Sequence, residues 1–160
     1  MIIKYIVLLF IAFNLYAQDT LGRIDKFDMP KLNIYNVTAK IDTGAKTSSI
    51  NCDDITPVGH NQVSFVVLDA NNKRLTDGYV TKDISRISKV KSSNGVVQTR
   101  YFINTKIIIY GKSYNMEVSL SSRKEMLYPL LIGRELLNKG FIIDVTKEFL
   151  SYNEKRKTQE

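Results

Sequence analysis

Cysteine and histidine are scarce in this sequence of 160 residues, which contains one of each, Cys52 and His60. A single cysteine cannot form an intrachain disulfide. A zinc site takes three or four ligands, drawn mostly from cysteine, histidine and carboxylates, and the sequence has no His-Glu-x-x-His segment. His60 follows Cys52 within a polar turn, which is a poor basis for a Cys–His nucleophile. We therefore predict no metal site, and we interpret Cys52 as a small packed side chain.

A nucleotide-binding loop is also missing from the sequence. Gly111-Lys112-Ser113 matches only the last letters of the phosphate-binding pattern, which needs another glycine earlier. The apolar run Ile107-Ile108-Ile109-Tyr110 precedes it, so the pattern predicts a strand that enters a hairpin turn. Because metal ligands are scarce as well, we predict no cofactor.

Acidic residues are fewer than basic ones, 16 against 23, so the formal net charge is +7. A basic chain favours anionic partners such as acidic peptides, lipid head groups or nucleic acid. The sequence lacks the interleaved aromatic and basic residues of nucleic-acid modules, and we predict no nucleic-acid partner. The excess charge is scattered apart from Lys155-Arg156-Lys157, and we interpret residues 153–160 as a basic disordered tail.

The N-terminal residues have the pattern of a signal peptide. Lys4 precedes an apolar run from Tyr5 to Phe13, and the small residue Ala17 indicates cleavage before Gln18. The run is too short to favour a spanning helix, so we predict a periplasmic or secreted bacterial protein with no stable membrane span after cleavage. A buried N-terminal strand and an uncleaved anchor are the alternatives. Residues 18–152 are long enough for one domain with its own core.

The most informative segment is Asp42-Thr43-Gly44-Ala45, a polar turn after an apolar strand that ends at Ile41. An aspartic peptidase uses such a carboxylate to activate a water, while a second carboxylate protonates the scissile group. Thr43 and Ser48 could orient the carboxylate with their hydroxyls, and Gly44 permits a close approach that a side chain would block. An ordinary turn is the alternative, because Asp, Thr and Gly are common turn residues.

A second segment, Tyr128-Pro129-Leu130-Leu131-Ile132-Gly133-Arg134, combines a short apolar strand with Gly-Arg. The ordered pair of segments resembles the retroviral-type aspartic proteases, in which the second segment packs under the catalytic turn. Arg100-Tyr101-Phe102-Ile103 and Arg123-Lys124-Glu125-Met126 lie between the two. With them the chain, from Gly22 to Leu150, is similar to a bacterial retropepsin-like family often labelled ATP-dependent zinc protease. Some members of that family are associated with glutamate ligases.

The resemblance implies an all-β, acid-protease-like fold: a closed β-barrel with a flap hairpin and one short helix. The apolar runs are rich in Val, Ile, Phe and Tyr, which suits half-buried strands. Asn94-Gly95 lies between two predicted strands and is a strong hairpin signal, so we place the tip of the flap there. An ordinary surface hairpin is the alternative. We also predict a strand over 75–80, a short helix over 135–137, and closing strands over 141–144 and 149–152.

The resemblance also assigns roles to individual residues, with Asp42 as the catalytic carboxylate. The implied substrate-binding residues are Thr43, Gly44, Ala45, Asn94 and Gly95. The implied structural support of the site comes from Ser48, Ile132, Gly133 and Arg134.

The chain departs from the family pattern at two positions. Many retroviral enzymes have an acidic residue at the position of Lys46, where it pairs with the arginine of the second motif. We therefore expect Glu135, Asp144 or a substrate carboxylate to pair with Arg134 instead. Relatives often have a histidine at the position of Asn51, so any role of that imidazole is absent here.

A single Asp-Thr-Gly segment supplies one carboxylate, whereas the reaction needs two that share a proton. We therefore predict a homodimeric aspartic endopeptidase that hydrolyses peptide bonds. The alternative is a non-catalytic periplasmic peptide-binding module on the same β scaffold. Relatives linked to glutamate ligases point to acidic, glutamate-containing tails as substrates. The charge of +6 that remains without Lys4 is compatible with such tails, but export argues against them because those ligases act in the cytosol.

Overall fold

The computed structural model describes residues 18–91, 97–123, 125 and 127–158. Within them, nine strands are present: β1 (Thr20–Met29), β2 (Ile34–Ile41), β3 (Ser48–Val58), β4 (Gln62–Val67), β5 (Val80–Lys91), β6 (Val97–Ile109), β7 (Lys112–Ser121), β8 (Leu130–Ile132) and β9 (Ile142–Glu148). The helices are α1 (Arg134–Leu137), α2 (Leu150–Lys157) and a 3-10 helix (Pro30–Leu32). The prediction of a mostly β domain is confirmed. None of the described helices is long and apolar enough to cross a membrane.

The strands form one mixed sheet in the order β4-β5-β6-β7-β3-β8-β2-β1-β9. The sheet curls, because β4 also pairs with β3 and β6 also pairs with β1. The pairing between β6 and β1 consists of one residue pair, Ile108 with Asp28. A closed barrel requires a continuous ladder between neighbouring strands, so the predicted closure is not confirmed.

The short strand β8 lies inside the sheet and carries the second sequence motif. It pairs in parallel with β2, where Ile132 lies opposite Ile41, and antiparallel with β3. All three residues of β8 are buried, which explains why this strand is a continuous apolar run rather than an alternating one. The pairing brings Gly133, immediately after β8, close to the residues that follow β2.

Two consecutive hairpins cover the middle of the chain. β6 and β7 are joined at Tyr110 and Gly111, whose φ angles are 50° and 71°, as in the tight turns that suit hairpins. The turn predicted at Gly111 is therefore confirmed. β5 pairs with β6 out to Lys91 and Val97, which confirms a hairpin in the place of the predicted flap. Its tip at Asn94 and Gly95 lies outside the described residues, as does the predicted signal peptide.

The closing strand predicted over 149–152 and the disordered tail predicted over 153–160 are wrong for most of their length. The chain is helical from Leu150 to Lys157, so the domain has a second helix. The basic residue Lys155 of this helix binds Asp28 of β1 with an Nζ–Oδ2 distance of 2.7 Å. That side chain therefore belongs to the packed domain rather than to a solvated tail.

A buried carboxylate in β1 explains why α2 forms here. Asp25 accepts the backbone N–H groups of Ser151 at 2.9 Å and Tyr152 at 3.1 Å. These donors lie in the first turn of α2, where backbone N–H groups have no partner within the helix. The sequence hid this arrangement, because Asp25 lies 126 residues from Ser151 along the chain.

The strand predicted over 75–80 is also wrong, since β5 begins at Val80 and the preceding residues form a loop. In that loop, the Thr76 hydroxyl donates to the carbonyl oxygen of Gly78 at 2.9 Å. Such local side-chain bonds compete with strand pairing and favour a turn.

Candidate active site

Asp42 lies one residue beyond β2, at the start of a tight turn. Its own N–H donates to the carbonyl of Ile132 in β8 at 2.9 Å, which extends the β2–β8 pairing to the carboxylate residue. The Oδ1 atom of Asp42 accepts the N–H groups of Gly44 at 3.1 Å and Ala45 at 3.2 Å. An aspartate at the start of a turn commonly binds backbone groups in this way. The half-buried carboxylate is thus oriented by the backbone of its own turn.

Gly133 packs against the backbone of the residues that follow this turn, Lys46 and Thr47. A Cβ atom at Gly133 would lie 2.7 Å from the carbonyl carbon of Thr47 and 2.9 Å from the carbonyl oxygen of Lys46. Both neighbours are backbone atoms, so only glycine allows β8 and the turn to approach this closely. The N–H of Gly133 donates to the buried Ser48 hydroxyl at 3.0 Å. Gly133 and Ser48 therefore join the second motif to the first.

Arg134 binds the turn through backbone acceptors. Its Nη1 atom donates to the carbonyl oxygens of Thr43 at 2.9 Å and Gly44 at 2.7 Å, and its N–H donates to the carbonyl of Ala45 at 3.0 Å. These contacts replace the expected pairing with Glu135 or Asp144, while pairing of Arg134 with a substrate carboxylate stays a prediction. The sequence could not reveal this arrangement, because any residue type offers a carbonyl oxygen.

Lys46, which replaces the acidic residue of retroviral enzymes, has an ionic neighbour of its own. Its Nζ lies 3.9 Å from Oε1 of Glu135, and both side chains are largely exposed. An exposed pair at this distance contributes little to stability. The charge of Lys46 therefore remains available at the edge of the site.

The hydroxyls expected to orient the carboxylate have other positions. Ser48 accepts from Gly133, and Thr43 is exposed at the surface of the turn. Gly44 has the predicted close approach, since a Cβ there would lie 3.3 Å from Oδ1 of Asp42. The structure thus brings together the predicted residues from both motifs, while Asn94 and Gly95 lie outside the described residues.

Asp42 lies in the wall of a pocket of about 290 Å³. Four basic residues line the same pocket: Lys46, Arg86, Arg100 and Arg123. Its other lining residues are Ala45, Thr47, Ser49, Phe102, Ser119 and Leu131. Arg86 lies in β5 and Arg100 in β6, so the base of the predicted flap hairpin forms one wall of the pocket.

Arg86 has an ionic and an aromatic contact in that wall. Its Nη2 donates to Oε2 of Glu117 at 2.8 Å, and its guanidinium lies 3.6 Å from the centroid of the Phe102 ring. Ser85 donates to the other oxygen of Glu117 at 2.8 Å. Burial acts to raise the pKa of Glu117, but the hydrogen bonds from Arg86 and Ser85 outweigh it and lower that pKa. Glu117 therefore stays ionised and offsets part of the charge of Arg86.

Arg123 is half-buried between Asp42 and another cation. Burial and the neighbouring Arg100 lower the pKa of Arg123, while the charge of Asp42 acts in the opposite direction. Arg100 and Arg123 also line an adjoining pocket of about 500 Å³, together with Ile55, Gln98, Thr99, Leu120, Ser121 and Ser122. The two arginines thus stand between two pockets, beside the candidate catalytic carboxylate.

The convergence of these arginines was not predicted, although Arg100 and Arg123 each begin a segment that carried the family resemblance. The sequence shows that these residues are arginines, but it does not show that they lie beside Asp42. Only the pairing of β5 with β6 and of β6 with β7 brings the three arginines to one pocket.

The chain is similar to proteins of one family over almost all of the described residues. The RimB-like family, described as "Retropepsin-like aspartic endopeptidase RimB", matches residues 20–154. This match confirms the resemblance inferred from the sequence motifs.

Two similar sequences are each named "Probable alpha-L-glutamate ligase". The one from Shewanella halifaxensis is 32% identical over 123 residues, and the one from Desulfotalea psychrophila is 32% identical over 131 residues. These matches cover 75% and 80% of this chain, but 27% and 28% of the relatives. The chain thus spans little more than a quarter of the length of the ligase-named relatives.

A solved structure has the same fold over most of the chain. The crystal structure of Lpg0085 from Legionella pneumophila, a protein of unknown function, is 26% identical with a TM-score of 0.66. The match covers 84% of this chain and 99% of that chain.

Proposed function

The chain belongs to the RimB-like family of retropepsin-like aspartic endopeptidases, and from that membership we propose that it is an exported, homodimeric enzyme that hydrolyses peptide bonds. One observation carries the proposal. The carboxylate of Asp42 is oriented by the N–H groups of Gly44 and Ala45 in the wall of a pocket, and the base of the β5–β6 hairpin forms another wall. This is the arrangement that an acid–base carboxylate beneath a flap requires.

The second carboxylate of the reaction comes from Asp42 of a second copy of the chain. Two carboxylates side by side cannot both ionise, so they share one proton and act as one base and one acid. The ionised carboxylate takes a proton from water, whose oxygen attacks the peptide carbonyl carbon, while the protonated carboxylate donates to the carbonyl oxygen. Proton transfer to the amide nitrogen then breaks the C–N bond and releases an amine and a carboxylic acid.

The remaining predicted residues have supporting roles in this scheme. In this proposal, Thr43, Gly44 and Ala45 frame the carboxylate and contact substrate, and Asn94 and Gly95 keep the role predicted from the sequence, at the tip of the flap. The supporting residues of the turn are Ser48, Ile132, Gly133 and Arg134. Closure of the flap would exclude water from the reacting atoms and align the peptide.

The basic pocket favours acidic peptides as substrates. Arg100 and Arg123 are half-buried beside Asp42, where a carboxylate of the substrate would relieve the repulsion between the two cations. The relatives in Shewanella halifaxensis and Desulfotalea psychrophila are named glutamate ligases, but such ligases act in the cytosol. For an exported enzyme, the charge of the pocket rather than these names therefore supports an acidic substrate. Acidic peptides are therefore the first substrates to test.

The same pocket supports a second candidate function, a peptide-binding module without turnover. A single copy of the chain contains one carboxylate and four cationic side chains in this pocket. Such a site binds acidic peptides whether or not a second Asp42 completes the catalytic pair. Fold and family do not by themselves establish turnover.

Cleavage of matched peptides decides between the two functions. Wild type and Asp42→Asn would be incubated with a glutamate-rich peptide and its glutamine counterpart across about pH 4 to 7, where a shared-proton pair titrates. We expect wild-type cleavage that favours the acidic peptide, and a loss of about a hundredfold or more in Asp42→Asn. Equal cleavage by both proteins would refute the assignment of Asp42. Binding of the acidic peptide without cleavage, by a protein that stays monomeric, would favour the binding module.

A further inference from the structure

Asn51, in β3, is a buried polar residue with an uncommon set of contacts. Its side chain is 3% exposed, and its Oδ1 atom accepts the backbone N–H of Arg123 at 2.9 Å. The two residues lie 72 positions apart in the chain, so the bond joins separate segments of the fold. The Nδ2 atom of the same amide has no hydrogen-bond partner within the described part of the chain. The amide is thus oriented by its acceptor atom alone.

The backbone of Asn51 binds two further segments. Its N–H donates to the carbonyl of Pro129 at 2.7 Å, and its carbonyl accepts the N–H of Leu68 at 3.0 Å. Arg123 and Pro129 lie near the two ends of the connection between β7 and β8, which contains no helix or strand where it is described. One residue therefore anchors both ends of that connection.

This anchoring holds the backbone of Arg123, whose charged side chain lines the site. Arg123 lines both the pocket of Asp42 and the adjoining pocket, and it is half-buried near Arg100. Placing two guanidinium groups together, partly out of water, costs electrostatic free energy. A loosely held backbone would let Arg123 move away from Arg100 toward solvent. The Asn51–Arg123 bond opposes that movement.

We propose that Asn51 is a positioning residue, which holds Arg123 beside Asp42 so that its guanidinium can bind a carboxylate of the substrate. This rests on the proposed function, specifically on the preference for acidic peptides. Asn51 does not touch the substrate, and its effect passes through the backbone of Arg123. Loss of the Oδ1 acceptor therefore weakens the binding of acidic peptides and leaves neutral peptides unaffected.

The experiment measures the binding of a glutamate-rich peptide and its glutamine counterpart by fluorescence anisotropy. Every protein carries Asp42→Asn, so that the measurement does not depend on cleavage. Asn51→Leu removes the acceptor at similar volume, Asn51→Asp keeps an acceptor oxygen, and Asn51→Ala, which also lacks an acceptor, replaces Asn51→Leu if that chain does not fold. Thr105→Val is the matched control, because the buried hydroxyl of Thr105 in β6 also has no partner among the described residues and Thr105 lines neither pocket.

We expect Asn51→Leu to bind the acidic peptide about tenfold to a hundredfold more weakly, the range of one charge-assisted hydrogen bond. Asn51→Asp should restore most of that binding, and Thr105→Val should bind like the parent. In an Arg123→Gln background, Asn51→Leu should cause no further loss of binding, since both changes remove the same contribution, that of the Arg123 guanidinium. In proteins that retain Asp42, Asn51→Leu should raise KM for the acidic peptide with little change in kcat.

Three results would overturn the proposal: equal losses for acidic and neutral peptides, losses that add to those of Arg123→Gln, or a parent protein that does not prefer the acidic peptide. In the last case, cleavage of neutral peptides by wild type would still support the endopeptidase. Conversely, the expected binding pattern in a protein that cleaves nothing would keep the role of Asn51 and reject the endopeptidase.

Discussion

Replacing Gly133 with alanine tests whether the close packing of the two motifs builds the site. The added Cβ would lie 2.7 Å from the carbonyl carbon of Thr47 and 2.9 Å from its carbonyl oxygen. These are backbone atoms, and they cannot rotate away as the end of a long side chain can. The turn that carries Asp42 must therefore shift, or β8 must shift with Ile132.

The expected cost is that of overpacking a rigid site, about 1–3 kcal/mol in the free energy of unfolding. For a domain of this size, that corresponds to a fall in Tm of about 2 to 12 °C. The bond from Gly133 to Ser48 and the bond from Arg134 to the carbonyl of Ala45 lie on either side of the clash. If Asp42 belongs to the proposed catalytic pair, activity should fall further than stability alone predicts, because a small displacement of its carboxylate disturbs that pair.

Gly78→Ala is the matched control, because a Cβ at Gly78 would meet no atom within 4 Å. Urea unfolding and peptide cleavage would be measured for both variants beside wild type. We expect Gly78→Ala to resemble wild type and Gly133→Ala to unfold at a lower urea concentration. Our account of the turn would be refuted if the two variants unfolded at the same urea concentration and cleaved at the same rate.

Three further predictions concern Cys52, Asp25 and Arg134. Burial raises the pKa of the Cys52 thiol, so it should not react with a thiol reagent until urea unfolds the chain; rapid reaction in the native state would contradict this. Burial raises the pKa of Asp25 despite its bonds to three backbone N–H groups. Its contribution to stability is therefore present at acidic pH and lost as the pH rises through the raised pKa. Wild type should gain stability relative to Asp25→Asn as pH falls from neutral, whereas a pH-independent difference in unfolding free energy would refute this sign. Arg134→Met removes two bonds to the carbonyls of Thr43 and Gly44 and should cost about 1–3 kcal/mol in urea unfolding; an unchanged midpoint would contradict that role.

The central part of the site could be predicted from the sequence because short segments specify it. Asp42 and Gly44 lie within one turn, and Gly133 follows a strand that is apolar throughout, as a buried strand must be. Glycine at that point indicates close packing, and the structure shows backbone atoms of Lys46 and Thr47 where a side chain would be. Local chemistry and motif order were sufficient here.

The rest depended on contacts that leave no local pattern. The partners of Arg134 are carbonyl oxygens, which every residue type provides. Helix α2 has low apolar content, and it forms where Asp25 of β1 accepts hydrogen bonds from N–H groups in the first turn of the helix. The basic residues of α2 favour a disordered tail when only the sequence is considered, because the sequence does not show that Lys155 contacts Asp28.

The contacts of β1 have a consequence for how the chain folds during synthesis. β1 pairs with β2 nearby in the sequence, but also in parallel with β9, and its Asp25 receives the N–H groups of α2. β1 is synthesised early, but its contacts with β9 and α2 cannot form until residues 142–157 have left the ribosome. Pairings this distant in sequence form slowly. A chain that lacks residues 142–157 should thus lack a finished fold, because β1 would have neither β9 beside it nor α2 at Asp25.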